Sequence, residues 1–153
     1  MEYEELLIRA DIAGLSVKEK RLRSSSGGLI NGKKIAISER LKTSTEKACV
    51  LAEELGHYFF TSGDIVDQSS TQNRKQELLA RVKAYNHMVG LTGIVRSYEH
   101  GFRSLYEMAE YLEVTETFLA DALEAYRLKY GEGTMIDNYY IAFEPYLSIV
   151  KMI

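Results

Sequence analysis

Thr43-Ser44-Thr45-Glu46 marks the start of a helix around which the rest of the chain has to be arranged. The Thr43 hydroxyl and the Glu46 carboxylate stand at the spacing at which each satisfies a free backbone donor at a helix start. Behind this cap, Ala48, Leu51, Ala52, Leu55 and Phe59 recur at intervals of three and four. One side of the helix is therefore predicted to face a core. A second side is polar. Glu53 and His57, four residues apart, project from one face a turn apart, and Glu54 borders that face. One helix thus has to serve a hydrophobic interior and a cluster of ionisable groups at once.

The flanking segments read as partners for that helix. Thr61-Ser62-Gly63-Asp64 is expected to close it, giving a helix over 44–61. A polar linker at 68–72 then leads to a second long helix, 73–89, with Leu78, Val82, Tyr85 and Val89 inward. Ala80 and Ala84 are small enough to let the two helices approach closely. Upstream, Glu2 to Ala13 reads as a short helix ended by Gly14, and Leu15 to Arg23 as a strand. Leu29 to Ile37 reads as a hairpin with Asn31-Gly32 in a type I′ turn. A small antiparallel sheet over 15–38 is the expectation. Downstream come a short helix near Ile94 to Tyr98 and a helix–turn–helix-like pair over 104–131, capped by Ser104 with Glu107 and by Thr115. Residues 139–150 read as one or two short strands around Pro145. The expected class is α+β: a mostly helical body with a small N-terminal antiparallel sheet and a C-terminal helical pair.

Composition narrows the functions available. The 153 residues carry a net charge of −3. The apolar runs are far too short to cross a bilayer, and the acidic N-terminus is not that of a secretory signal. A single cysteine, Cys49, cannot form an internal disulfide, which suits a cytoplasmic location. Residues 1–42 hold nine Lys/Arg against six Asp/Glu, so the remainder carries the negative charge. The pair at 104–131 is acidic: Glu107, Glu110, Glu113, Glu116, Asp121 and Glu124 face only Arg127 and Lys129. Phosphate contacts need cations, so direct DNA binding is not expected of it. Nor is a membrane partner expected.

Glu53-Glu54-Leu55-Gly56-His57 differs by one residue from the H-E-x-x-H helix of zinc peptidases, where two side chains a turn apart grip a metal and the intervening glutamate activates water. A di-iron carboxylate bundle would need a second Glu-x-x-His, and none occurs. Over Ser44 to Tyr58, and again over Asn73 to Arg81, the chain resembles the ImmA/IrrE family of metallopeptidase-like proteins, especially its phage and prophage members. The resemblance implies a gluzincin-like domain over 1–100, with the metal helix at 44–61 and the second ligand helix at 73–89. The helical pair and strand segment of 101–153 would lie on the same core. By position it makes Glu54 the general base, His57 a ligand and Glu77 a third ligand, and it implies a helix–turn–helix repressor as substrate or partner. Glu53 stands where the family usually has histidine. A carboxylate still ligates zinc, but a centre with two carboxylates is less positive, which brings manganese or iron in as alternatives. His87 is a candidate accessory group at the oxyanion. The same substitution leaves a second reading open: a catalytically degenerate module that docks on a transcriptional regulator.

Overall fold

The computed structural model describes residues 2–60 and 71–153. The expected helix end at 61–64 and the start of the linker, 68–70, lie outside the described residues. The chain forms two compact units, residues 1–88 and 89–153.

In the first unit, α1 (Tyr3–Ile12) buries Leu6 and Ala10 and ends at Gly14, whose φ of +80° a side chain would resist. Three strands follow: β1 (Ser16–Lys20), β2 (Gly28–Asn31) and β3 (Lys34–Ser38), in the order β1-β3-β2. The expectation of an antiparallel sheet holds for β2 and β3 only; β1 runs parallel to β3. Residues 21–27 carry the chain from one edge strand to the other, so β3 ends up central and receives β1 from the parallel side. The turn also differs from the expected one. Asn31 pairs with Lys34, leaving Gly32-Lys33 as the loop with positive φ at Gly32 and not at Lys33. A type II′ turn requires just that first position.

The buried face of this sheet, Ile35 and Ile37 above all, lies against α2 (Ser44–Phe60). The predicted cap is present. Thr43 Oγ1 accepts from the Glu46 backbone N–H at 3.1 Å, and the Thr43 backbone N–H donates to Glu46 Oε1 at 3.3 Å. Ala48, Leu51, Ala52 and Leu55 are buried as the spacing predicts, whereas Phe59 is 53% exposed. Helix α3 (Thr71–Met88) corrects the sequence reading further. Its buried residues are Ala80, Ala84, Tyr85 and Met88, and Leu78 is half exposed. The cause is the crossing with α2. Gly56 lies so close to α3 that a Cβ there would stand 2.5 Å from the Ala80 carbonyl oxygen. Only small residues fit such a seam, so the larger leucine is turned out.

The second unit comprises α4 (Gly90–Glu99), α5 (Leu105–Leu112), α6 (Glu116–Tyr130) and an antiparallel sheet of β4 (Gly133–Ile136), β5 (Tyr139–Ala142) and β6 (Ser148–Lys151). Ser104 and Glu107 make the predicted capping box, and Thr115 Oγ1 accepts from the Phe118 backbone N–H. Strand β4 was not expected from the sequence. It pairs with β5 across Asp137-Asn138, with Asp137 at φ +51°. Arg127 joins Glu124 and Glu144, tying α6 to the segment after β5. Among the described residues, no helix is long and apolar enough to cross a membrane.

Alanine is about 1 kcal/mol better than glycine inside a helix, yet Gly56→Ala is expected to lower the unfolding free energy by about 1–3 kcal/mol through overpacking against Ala80. Urea denaturation measures it. A higher midpoint for the variant would mean that the helices are not in contact there.

Candidate functional site

The seam between α2 and α3 decides which polar groups meet. His57 follows Gly56 by one residue, and Glu77 precedes Ala80 by three, so both emerge at the edge of the close contact. His57 Nε2 lies 3.1 Å from Glu77 Oε1, with both side chains 20% exposed. That separation suits a hydrogen bond donated by Nε2–H. The same oxygen faces Arg81 Nε at 3.7 Å, one turn along α3. Arg81 was not singled out from the sequence, although Glu77 and Arg81 stand four apart, the spacing of a helical ion pair.

Glu54 sits on the sheet side of this pair. A Cβ at Gly28, the first residue of β2, would lie 3.3 Å from Glu54 Cγ and 2.6 Å from Val50 Cγ1. Gly28 therefore lets β2 close over the carboxylate. The hairpin read from the sequence starts one residue later, at Leu29, and so misses this role; a glycine entering a strand is the signal for such a close approach. Burial, followed by the nearby charges of Glu53 and Glu77, pushes the Glu54 carboxyl up to about 7. Desolvation disfavours the charged form, and two carboxylates add like-charge repulsion. A carboxyl balanced near neutrality can both accept and release a proton at physiological pH.

The other expected site residues are placed as follows. Glu53 is within electrostatic reach of Glu54, as its contribution to that shift requires. Among the described residues no group of three or more His, Cys, Asp or Glu is arranged to hold a metal ion. The donor chemistry nevertheless suits a divalent cation at two points, His57 Nε2 and Glu77 Oε1. A cation there would relieve the repulsion that Glu54 experiences from Glu53 and Glu77. His87 does not join this cluster in sequence register: it is ten residues along α3 from Glu77, about 15 Å of helix rise. It instead lines a cleft with Arg9 and Lys83. Cys49 is buried, 6% exposed.

With that geometry in hand, a family model described as the IrrE N-terminal-like domain, Peptidase_M78, matches residues 4–124. No curated protein and no solved structure matches the chain.

The raised Glu54 carboxyl has a measurable effect on stability. It holds its proton more tightly in the folded chain, about 7, than at its ordinary 4.5. Its contribution is fully present below pH 4.5 and lost as the pH rises through about 7. Glu54→Gln removes that loss. In metal-free protein the variant is expected to exceed the parent by about 2–3 kcal/mol at pH 8 and to equal it near pH 4. Urea unfolding at the two pH values checks this, and an equal difference at both would mean that Glu54 is solvated.

Proposed function

Because the chain belongs to the IrrE N-terminal-like (Peptidase_M78) family, we propose that it is an ImmA/IrrE-type metallopeptidase of the phage kind, built on a gluzincin-like core. Acting in the cytoplasm, it cleaves a helix–turn–helix repressor of a mobile element. The observation that carries this reading is the 3.1 Å approach of His57 to Glu77 beside a Glu54 carboxyl pushed up to about 7. His57, Glu77 and, one turn before His57, Glu53 would hold a divalent ion, with zinc first and manganese or iron as alternatives. When bound, such an ion polarises the scissile carbonyl and makes water more acidic. Glu54 takes a proton from the attacking water and returns it to the departing amine, a relay suited to a carboxyl near neutrality. Arg81, facing the same Glu77 oxygen at 3.7 Å, adds a positive charge that favours the carboxylate beside His57.

An extended substrate segment needs a free strand edge. The central strand β3, which runs through Ile37, is paired on both sides and offers no such edge. Among the described residues β2 has no strand on its outer side. Its two-residue turn makes Asn31 and Leu29 the hydrogen-bonded partners of β3, so the backbone groups of Gly28 and Ile30 face outward; the Ser26 hydroxyl donates to the Gly28 carbonyl and accepts from its N–H, which puts Ile30 first as the pairing position.

The second reading, a degenerate module that docks on a regulator, is favoured by one observation: among the described residues no group of three or more His, Cys, Asp or Glu is arranged to hold a metal ion.

Elemental analysis after dialysis against zinc or manganese separates the two. The peptidase reading expects close to one metal ion per chain and a metal affinity lowered by about tenfold or more in Glu77→Gln. It also expects Glu54→Gln to keep its metal while cleavage of a co-expressed repressor falls by about 10²–10⁴-fold. Metal far below stoichiometry with an intact repressor complex selects the docking module. Ile30→Pro, which removes an outward donor, is expected to abolish cleavage at unchanged metal content; full activity would exclude strand addition on β2.

A further inference from the structure

The outer edge of β2 is closed at one end by a side chain of the loop that precedes it. Counting back from the turn, Asn31, Leu29 and Gly27 direct their backbone groups at β3, and the Ser38 N–H donates to the Gly27 carbonyl at 2.8 Å. Ile30 and Gly28 direct theirs outward. At Gly28 both are already taken. The Ser26 hydroxyl donates to the Gly28 carbonyl at 2.6 Å and accepts from the Gly28 N–H at 3.3 Å. These are the two bonds that an added strand would make there.

Ser26 is itself held in place. Arg40 Nη2 donates to the carbonyls of Ser24 and Ser26, each at 3.0 Å, while Arg40 Nε donates to Ser38 Oγ at 3.1 Å. Ser38 is 1% exposed, at the end of the central strand β3. A guanidinium presents its donors in a fixed planar fork, and bonds assisted by its charge are the strong ones. One side chain thus ties the loop before β2 to the buried end of β3. Gly28 is also the residue whose Cβ position abuts Glu54 Cγ, at 3.3 Å. Backbone pairing on β2 is therefore open at Ile30 and blocked at the position beside the carboxyl.

We propose that Ser26, held by Arg40, is a register stop: it confines an added substrate segment to pairing at Ile30 and so fixes which bond comes to lie at Glu54. This role rests on the proposed peptidase activity and on strand addition at β2. Without the stop, a segment gains a second pairing position, Gly28, two residues along the strand. A slip by one residue would turn every side chain of the segment to the opposite face of the sheet, whereas a slip by two keeps them in place. The competing register is thus displaced by two residues, roughly 7 Å of strand. Ser26 and Arg40 touch none of the reacting atoms and act as positioning residues, through Gly28.

Mass spectrometry of the products from a co-expressed helix–turn–helix repressor tests it. The parent is expected to cut one bond. Ser26→Ala is expected to add a cut two residues away, at least about tenfold more abundant than in the parent. Arg40→Gln should do the same to a smaller extent, and Ser26→Thr, which keeps the hydroxyl, should restore the single cut. Loss of a merely structural contact would lower the yield without moving the bond. Amide exchange followed by NMR on metal-free chain mixed with the purified repressor reads the same stop without cleavage. Of the two outward amides, binding should slow exchange at Ile30 alone in the parent, and at both Gly28 and Ile30 in Ser26→Ala. Spectra of the free variants confirm that they stay folded. Slowed exchange at Ile30, with Gly28 and the cut bond unmoved in Ser26→Ala, would overturn the stop and leave the peptidase reading standing. Unchanged exchange at Ile30 in the parent would overturn strand addition and the stop with it. The expected exchange pattern without any cleavage would uphold the stop as a docking device and remove the peptidase reading.

Discussion

The first unit depends on one close approach, Gly56 of α2 against the Ala80 carbonyl of α3. No side chain can be inserted there without moving backbone, and that tightness sets the register between the helices. The residues that follow in each direction then have little choice. His57 is delivered next to Glu77, and Ala84 and Met88 are buried in turn. Close packing of small residues seats α3, whose most buried positions are alanines while Leu78 and Leu79 face outward. Tertiary packing commonly outweighs local pattern in this way.

Electrostatics is layered on that contact. Glu54 is enclosed by β2 at Gly28 and flanked by two further carboxylates, while Glu77 is shared between His57 and Arg81. The cluster therefore contains an acid held near neutrality, an imidazole and a guanidinium within a few side-chain lengths. Such divergence of ionisable groups is typical of sites that move protons. On the reverse side of α2, Leu6, Ala52, Leu55 and Ala84 line a mostly apolar cleft. A single amphipathic helix thus separates a cluster of ionisable groups from an apolar cleft.

How much of this could be read from residues alone follows from the range of the interactions. Caps are local, and Thr43–Glu46, Ser104–Glu107 and Thr115 all form as their spacing indicates. The polar side of α2 is local too, since Glu53, Glu54 and His57 share one helix. The pairing of His57 with Glu77 was legible only through the family resemblance and the small residues at 80 and 84. Nothing in the periodicity distinguishes Glu77 from an ordinary solvated carboxylate. Strand direction was not legible. Whether β1 joins β3 from the parallel or antiparallel side depends on the path of residues 21–27, which leaves no mark on side-chain alternation. Leu78 misled because a leucine at helical spacing signals a core only when the neighbouring helix keeps its distance. Strand β4 escaped notice because Asp137, not glycine, takes the positive φ that makes its turn.

The mixed order of the N-terminal sheet leaves it with two unlike rims. β1 carries Lys18, Glu19 and Lys20, all exposed, and charges of this kind deter a second chain from pairing there. β2 carries Gly28, Leu29, Ile30 and Asn31, with no charge, and Leu29 is 48% exposed. Any backbone recruited by this sheet, a foreign segment or another molecule of the same protein at high concentration, is steered to one rim. The charged flank is guarded against fibrous self-association, and among the described residues the β2 flank carries no such charge.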